Sequence, residues 1–157
     1  MQKITPFLWF DHQAEEAMNF YTSVFKDSKV GEIRRYKAAV PGPEGSVMTA
    51  SFELLGQQFI ALNGGPIFKF SPATSFFVSC ETQEEVDYYW EKLGEDGNPN
   101  RCGWLDDKFG ITWQIVTTML DKVLQGSDPE NANRAMQAKM KMTKLDIRKL
   151  QADYDWK

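Results

Sequence analysis

The sequence predicts an α+β domain built from two copies of a strand-helix-strands unit, with helices added at the C-terminus. Apolar stretches with a period of two alternate with stretches spaced at three and four residues. The segment from Phe7 lies over the segment from Phe76 without a gap, an offset of 69 residues. Beyond Thr118 the strand signal stops and only helical spacing continues.

A first strand runs from Ile4 to Phe10, with Thr5, Phe7 and Trp9 on one face and Ile4, Leu8 and Phe10 on the other, the pattern of a strand buried on both sides. A helix follows. Glu15 and Glu16 occupy its first turn, where the helix dipole favours carboxylates, and Ala14, Ala17, Met18, Tyr21 and Phe25 form one stripe that faces a sheet. Val30 to Ala38 is a strand, ended by the loop Val40-Pro41-Gly42-Pro43-Glu44-Gly45. Val47 to Leu54 and Gln58 to Leu62 form a hairpin about Gly56-Gln57, closed by Asn63-Gly64-Gly65-Pro66. A connecting loop with Phe68 and Phe70 leads to Pro72.

The second copy then begins. Phe76-Phe77-Val78-Ser79 repeats Phe7-Leu8-Trp9-Phe10, Glu84-Glu85 repeats Glu15-Glu16, and Tyr89-Trp90 repeats Phe20-Tyr21. Gly94 to Pro99 is a turn cluster, and Asp106 to Gly110 connects strands near Arg101 to Leu105 and Ile111 to Thr117. Three helices end the chain: Met119 to Gln125, one to about Met142 opened by the cap Asp128 and Pro129, and one capped by Thr143. Ala132, Met136 and Met140 line one face of the middle helix, while Lys139, Lys141 and Lys144 form a solvated face. The organisation is one domain, 1–157, with modules at about 1–66 and 73–118 and a helical extension at about 119–155.

With 157 residues and 42% hydrophobic content, the chain has material for one adequate core. A formal charge of -4 argues against nucleic acid as a partner, because a phosphate-backbone binder needs an excess of Lys and Arg. No apolar stretch approaches the roughly 20 residues that span a bilayer, and the N-terminus carries no signal-like apolar region. No membrane partner and a cytoplasmic location are therefore expected. Cys80 and Cys102 form no CxxC and have no cluster of further ligands, so packed, reduced thiols are expected. His12, the single histidine, sits in a turn beside Asp11 and is a weak candidate general base. No GxGxxG is present, and no Ser-His-Asp or Cys-His arrangement emerges.

Several runs carry a family pattern: Ile4-Thr5-Pro6-Phe7-Leu8-Trp9-Phe10-Asp11, Ala14-Glu15-Glu16-Ala17, Asn19-Phe20-Tyr21 and Ala61-Leu62-Asn63-Gly64-Gly65-Pro66. The most specific is Cys102-Gly103-Trp104-Leu105 through Asp107-Lys108-Phe109-Gly110-Ile111-Thr112-Trp113-Gln114-Ile115-Val116. The chain resembles, over nearly its whole length including the C-terminal helices, the PhnB-like family. That group belongs to the vicinal oxygen chelate superfamily with glyoxalases, bleomycin-resistance proteins and extradiol dioxygenases, and its members often carry the label 3-demethylubiquinone-9 3-methyltransferase-like. The resemblance implies two βαβββ modules whose curved mixed sheets enclose a cavity, commonly in a homodimer.

In metal-using relatives, the ligand positions implied by the resemblance correspond here to Thr5, Ala61 or nearby Asn63, Thr74 or Ser75, and Gln114. Neutral alcohol, methyl and amide groups do not repay the dehydration of a divalent metal, so no cofactor is expected. If strand alternation holds, the cavity is lined by Thr5, Phe7, Trp9, Phe59, Asn63, Trp104, Thr112 and Gln114. That composition suits a small, partly apolar organic ligand oriented by Gln114, Asn63 and Thr5. Against this stands a filled interior, with Trp9, Trp104 and Trp113 occupying the space. Two further functions remain open: a divalent-metal enzyme using Gln114 with Glu53 or Asp107, and a dimeric interaction module working through the C-terminal helices. Direct methyl transfer is not expected, because Asn63-Gly64-Gly65-Pro66 is a turn rather than the entry to a nucleotide-binding helix.

Overall fold

A computed structural model describes residues 2–155, and the chain divides into two units between Phe70 and Ser71. In unit 1 the elements are β1 (Phe7–Phe10), α1 (Ala14–Val24), β2 (Ser28–Arg35), β3 (Val47–Leu54) and β4 (Gln57–Asn63). The sheet order is β1-β4-β3-β2, with β1 parallel to β4 and the other pairs antiparallel.

β1 starts at Phe7 rather than Ile4. Pro6 has no N–H for a ladder and contributes only its carbonyl, which accepts the Ile60 N–H at 3.0 Å. Only one face of β1 is fully buried. Leu8 and Phe10 are buried with Ala50, Phe52, Phe59 and Ala61 and with the α1 stripe Ala14, Ala17, Met18, Tyr21 and Val24, whereas Phe7 is 56% exposed. The expectation of burial on both sides is thus corrected for this edge strand. Within the core, Phe52 stacks on Phe59 and on Tyr21, with ring centroids 5.4 and 6.0 Å apart.

The β3–β4 hairpin turns at Leu55-Gly56, one residue earlier than Gly56-Gln57. Both residues take positive φ, 50° and 83°, as a tight two-residue turn that follows the sheet twist demands.

Unit 2 repeats this order with β5 (Ser75–Cys80), α2 (Gln83–Gly94), β6 (Asn98–Pro99), β7 (Trp104–Asp106) and β8 (Thr112–Thr117). Its sheet is β5-β8-β7-β6, and β5 is parallel to β8. β6 lies inside the predicted turn cluster: two residues pair with Leu105 and Asp106, too short a strand for any period to register. Thr82 caps α2, its side chain accepting the Glu85 N–H at 3.2 Å.

The repeat has a one-residue slip. The helices keep the offset of 69, with buried Ala17 over Val86 and Val24 over Leu93. The first strands need 70, with buried Leu8 over Val78 and Phe10 over Cys80. The connection Asp11-His12-Gln13 is one residue longer than Glu81-Thr82, which a gapless overlay hides. Because strand side chains alternate, that slip exchanges the faces.

The C-terminal helices α3 (Met119–Gln125), α4 (Pro129–Lys141) and α5 (Ile147–Asp155) pack on unit 2 through Val116, Leu120, Ala138, Met142, Leu145 and Leu150. Asp128 caps α4 as expected, accepting the N–H groups of Glu130 and Asn131 at 3.0 and 3.2 Å. Asp146, not Thr143, caps α5, accepting the Lys149 N–H at 3.0 Å. The carbonyl of Thr143 instead accepts the Gly103 N–H, and that of Met142 the Cys102 N–H. Ala135 and Ala138 form the buried face of α4, and Met140 on the expected stripe is 61% exposed. In this helix small residues let the backbone approach the core, so the larger methionines mark its flank.

Candidate functional site

Each sheet has one face that its helix does not cover. In unit 1, Phe7 pairs with Ile60 and Trp9 with Leu62 across β1 and β4, while Ile60 pairs with Ser51 and Leu62 with Thr49 across β3 and β4. Directly paired residues point the same way. Phe7, Trp9, Ile60 and Leu62 therefore make an apolar strip flanked by the hydroxyls of Thr49 and Ser51. Thr5, half-buried, lies two residues before Phe7.

Trp9 is held firmly. Its indole N–H donates to the Gly65 carbonyl at 2.9 Å, and Phe68 meets its ring edge-on at 4.9 Å between centroids. The indole lies over Gly64, where an added Cβ would come within 2.4 Å of the ring. Only glycine permits that approach.

Phe59 and Asn63 do not share this face. Phe59 pairs with Phe52, and Asn63 pairs with Phe10 two residues after Ala61 meets Leu8, which turns both toward α1. Phe59 is buried in the helix-side core. The Asn63 amide is committed in both directions: its Oδ1 accepts the Ala14 N–H at 2.8 Å and its Nδ2 donates to the Val47 carbonyl at 3.1 Å. It thus caps α1 from across the chain, since Gln13 makes no side-chain cap. Alternation holds along β4, but which of its faces joins Phe7 and Trp9 is set by the register with β1.

In unit 2, Trp104 and Phe77 both pair with Gln114, and Asp106 and Ser75 both pair with Thr112. Trp104, Thr112 and Gln114 share a face as expected, joined by Ser75, Phe77 and Asp106. Gln114 donates through Nε2 to the Ser75 hydroxyl at 2.9 Å, and the buried Thr112 hydroxyl donates to the Asp106 carboxylate at 2.7 Å. Phe77 is 55% exposed. Trp113 points the opposite way, into the α2 side.

The positions implied for a metal hold poor donors. Ala61 is a buried methyl, Asn63 is a helix cap, and Gln114 engages Ser75. Glu53 accepts from Gln58, and buried Asp107 accepts three N–H donors, from Phe109, Ile111 and Trp113. Among the described residues no three His, Cys, Asp or Glu side chains gather as a metal centre requires. These residues do not fit a divalent ion.

His12 lies 78% exposed with its Nδ1 3.6 Å from the Asp11 carboxylate, at a surface cavity of about 440 Å³ that also meets Glu15, Tyr36, Ser46 and Gly64. Cys80 is fully buried, and burial, reinforced by Glu85, pushes its thiol up to about 12.

A sequence model of the 3-demethylubiquinone-9 3-methyltransferase family matches residues 2–116. The PhnB protein from Bacillus cereus is 44% identical, with a TM-score of 0.67 over 74% of this chain and 99% of that one. The chain belongs to the 3-demethylubiquinone-9 3-methyltransferase family. Its two open, mixed four-stranded sheets share one strand order, and the Bacillus cereus protein has the same fold. The fold also matches protein PA1353 from Pseudomonas aeruginosa, 18% identical, with a TM-score of 0.59 over 72% of this chain and 95% of that one. A looser similarity reaches a glyoxalase/bleomycin resistance protein from Albidiferax ferrireducens T118, 11% identical, with a TM-score of 0.45 over 71% of this chain and 95% of that one. No curated protein matches the sequence. The family match stops at residue 116, so α3 to α5 lie outside it, which corrects the resemblance over nearly the whole length.

Proposed function

We propose that this family member binds a small, partly apolar organic molecule on the helix-free face of the unit 1 sheet, without a metal and without transferring a methyl group. One observation carries the reading: Phe7 stands 56% exposed beside Trp9, Ile60 and Leu62, with hydroxyls at Thr49 and Ser51 along the edge. Exposed apolar surface of this kind gains roughly 25 cal/mol for each Å² that a ligand removes from water. Trp9 is already fixed by Gly64, Gly65 and Phe68, so binding costs little side-chain entropy there. On the corresponding face of unit 2, the Gln114-Ser75 pair and Trp104 offer hydrogen bonding beside an aromatic surface.

The donor chemistry at Ala61, Asn63 and Gln114 supports a reading without metal. Methyl transfer from a nucleotide-type donor needs a glycine-rich turn that opens a helix. After Asn63-Gly64-Gly65-Pro66 no helix begins before Gln83. Cytoplasmic location and a homodimer belong to the same reading.

Native mass spectrometry of the purified protein tests it. A metal-free dimer retaining an organic mass, lost on Phe7→Ser, is the expected result. Stoichiometric metal, or ligand retention unchanged by Phe7→Ser, overturns it.

A further inference from the structure

Between α4 and α5 lies a cavity of about 320 Å³ whose lining includes Arg134, Lys141 and Lys149, with Gln137 beside them and Ala138 and Met142 as its apolar part. The lining sets three cations against one carboxylate in a chain whose net charge is -4. We infer that this pocket is a binding site for a soluble phosphomonoester, separate from the sheet faces.

The Arg134 guanidinium is oriented rather than loose. Its Nε donates to the Asp153 carbonyl at 3.2 Å, and a terminal nitrogen donates to the Asn131 side chain. A guanidinium with a fixed plane suits phosphate oxygens, and Arg134, Lys141 and Lys149 set against Asp153 leave a net positive lining that matches a phosphate dianion. The one carboxylate in the lining, Asp153, pairs with Lys149 at 3.6 Å. Lys149 is 61% exposed and Asp153 half-buried, so the pair is partly solvated and weak, and Lys149 can turn to a stronger acceptor. The volume suits a small phosphorylated metabolite and falls at the low end of ligand pockets. All of these residues lie beyond residue 116, where the family match ends, so the pocket is an addition to the shared fold.

Calorimetric titration of the full chain with inorganic phosphate and with phenyl phosphate, at low ionic strength, tests the site. One saturable site is expected, weakened about fivefold or more by Lys141→Gln and by Lys149→Gln. Both lysines are exposed, so these variants keep the fold, which a thermal melt verifies. Asp153→Asn leaves the carbonyl contact to Arg134 in place and is expected to tighten binding, which a structural role does not predict. Lys92→Gln, on α2, leaves binding unchanged. Absence of saturable binding, equal weakening by Lys92→Gln, weaker binding in Asp153→Asn, or binding to phosphatidate vesicles alone would each overturn the inference.

Discussion

The indole N–H of Trp113 donates to the buried carboxylate of Asp107 at 2.9 Å, while the other oxygen of that carboxylate accepts the N–H groups of Phe109 and Ile111 at 2.9 and 3.0 Å. One side chain thus closes the turn between β7 and β8 and fixes the strand that carries Gln114. Asp107→Ala leaves three donors without their acceptor and is expected to cost on the order of 3 kcal/mol. Asp107→Asn, which points an NH₂ at one of those donors, costs less but still destabilises. Urea denaturation measures both, and a loss below roughly 0.5 kcal/mol in the alanine variant would remove the turn from its organising role.

Asn63 shows how a polar residue near a glycine pair acquires a structural job. Asn63→Ala removes the acceptor for Ala14 and the donor to Val47, with an expected loss of about 1 to 2 kcal/mol. Asn63→Asp keeps the helix cap but sets a carboxylate oxygen against the Val47 carbonyl, so it recovers only part of that loss. If Asn63→Ala abolishes ligand retention at unchanged stability, Asn63 faces the ligand and not α1.

Gly64→Ala forces a methyl against the Trp9 indole and is expected to destabilise by about 1 to 3 kcal/mol. The combination with Trp9→Ala is expected to be less costly than the sum of the two, since the clash disappears with the ring. Strict additivity in that double-mutant cycle would mean the two residues do not meet.

The sequence carries the element order well because helical and strand periods differ: Ala14, Ala17, Met18 and Tyr21 could only form a helix stripe, and their burial follows. Facing was legible only in part. Phe7 and Trp9 could be paired from alternation alone, but the exclusion of Phe59 and Asn63 depends on register with β1 and β3, which no single strand encodes. Likewise α5 begins only at Ile147, which puts Asp146 rather than Thr143 at its cap, while the Thr143 carbonyl meets Gly103, a contact between segments far apart in the chain. The neighbours Ile60, Leu62, Ser51 and Thr49 follow from the predicted hairpin once its turn is moved to Leu55-Gly56.

The two thiols should separate in reactivity. Burial raises Cys80 from 9.0 to about 12, so it stays protonated and enclosed at pH 8, while Cys102 is partly accessible. One fast-reacting thiol per folded chain is expected with an aromatic disulfide reagent, and two in denaturant. Between pH 9 and about 12 the folded chain holds a proton that the unfolded chain releases, so stability falls as pH rises through that window. Cys80→Ala should flatten this fall, and an unchanged alkaline slope would assign it to another group.

Removing α3 to α5 by a stop after Thr118 sets two arguments against each other. The family match ends at residue 116, which suggests a separable appendage. The packing says otherwise: Val116, only 4% exposed, shares a core with Leu120, Ala138, Met142, Leu145 and Leu150. The extension also supplies the acceptors for the N–H groups of Cys102 and Gly103, and it engages Gln83 on α2 through Leu145 and Ile147. Baring Val116 costs about 1.5 to 3 kcal/mol, and each lost hydrogen bond about 1 kcal/mol more. The truncated chain should therefore melt lower, with the loss confined to unit 2. Hydrogen exchange locates it: the Cys102 and Gly103 amides should lose protection while the Ile60 amide in unit 1 keeps its own. Protection retained at Cys102 and Gly103 would show that β7 and β8 hold their shape without the helices, and the extension would then be the appendage that the match suggests.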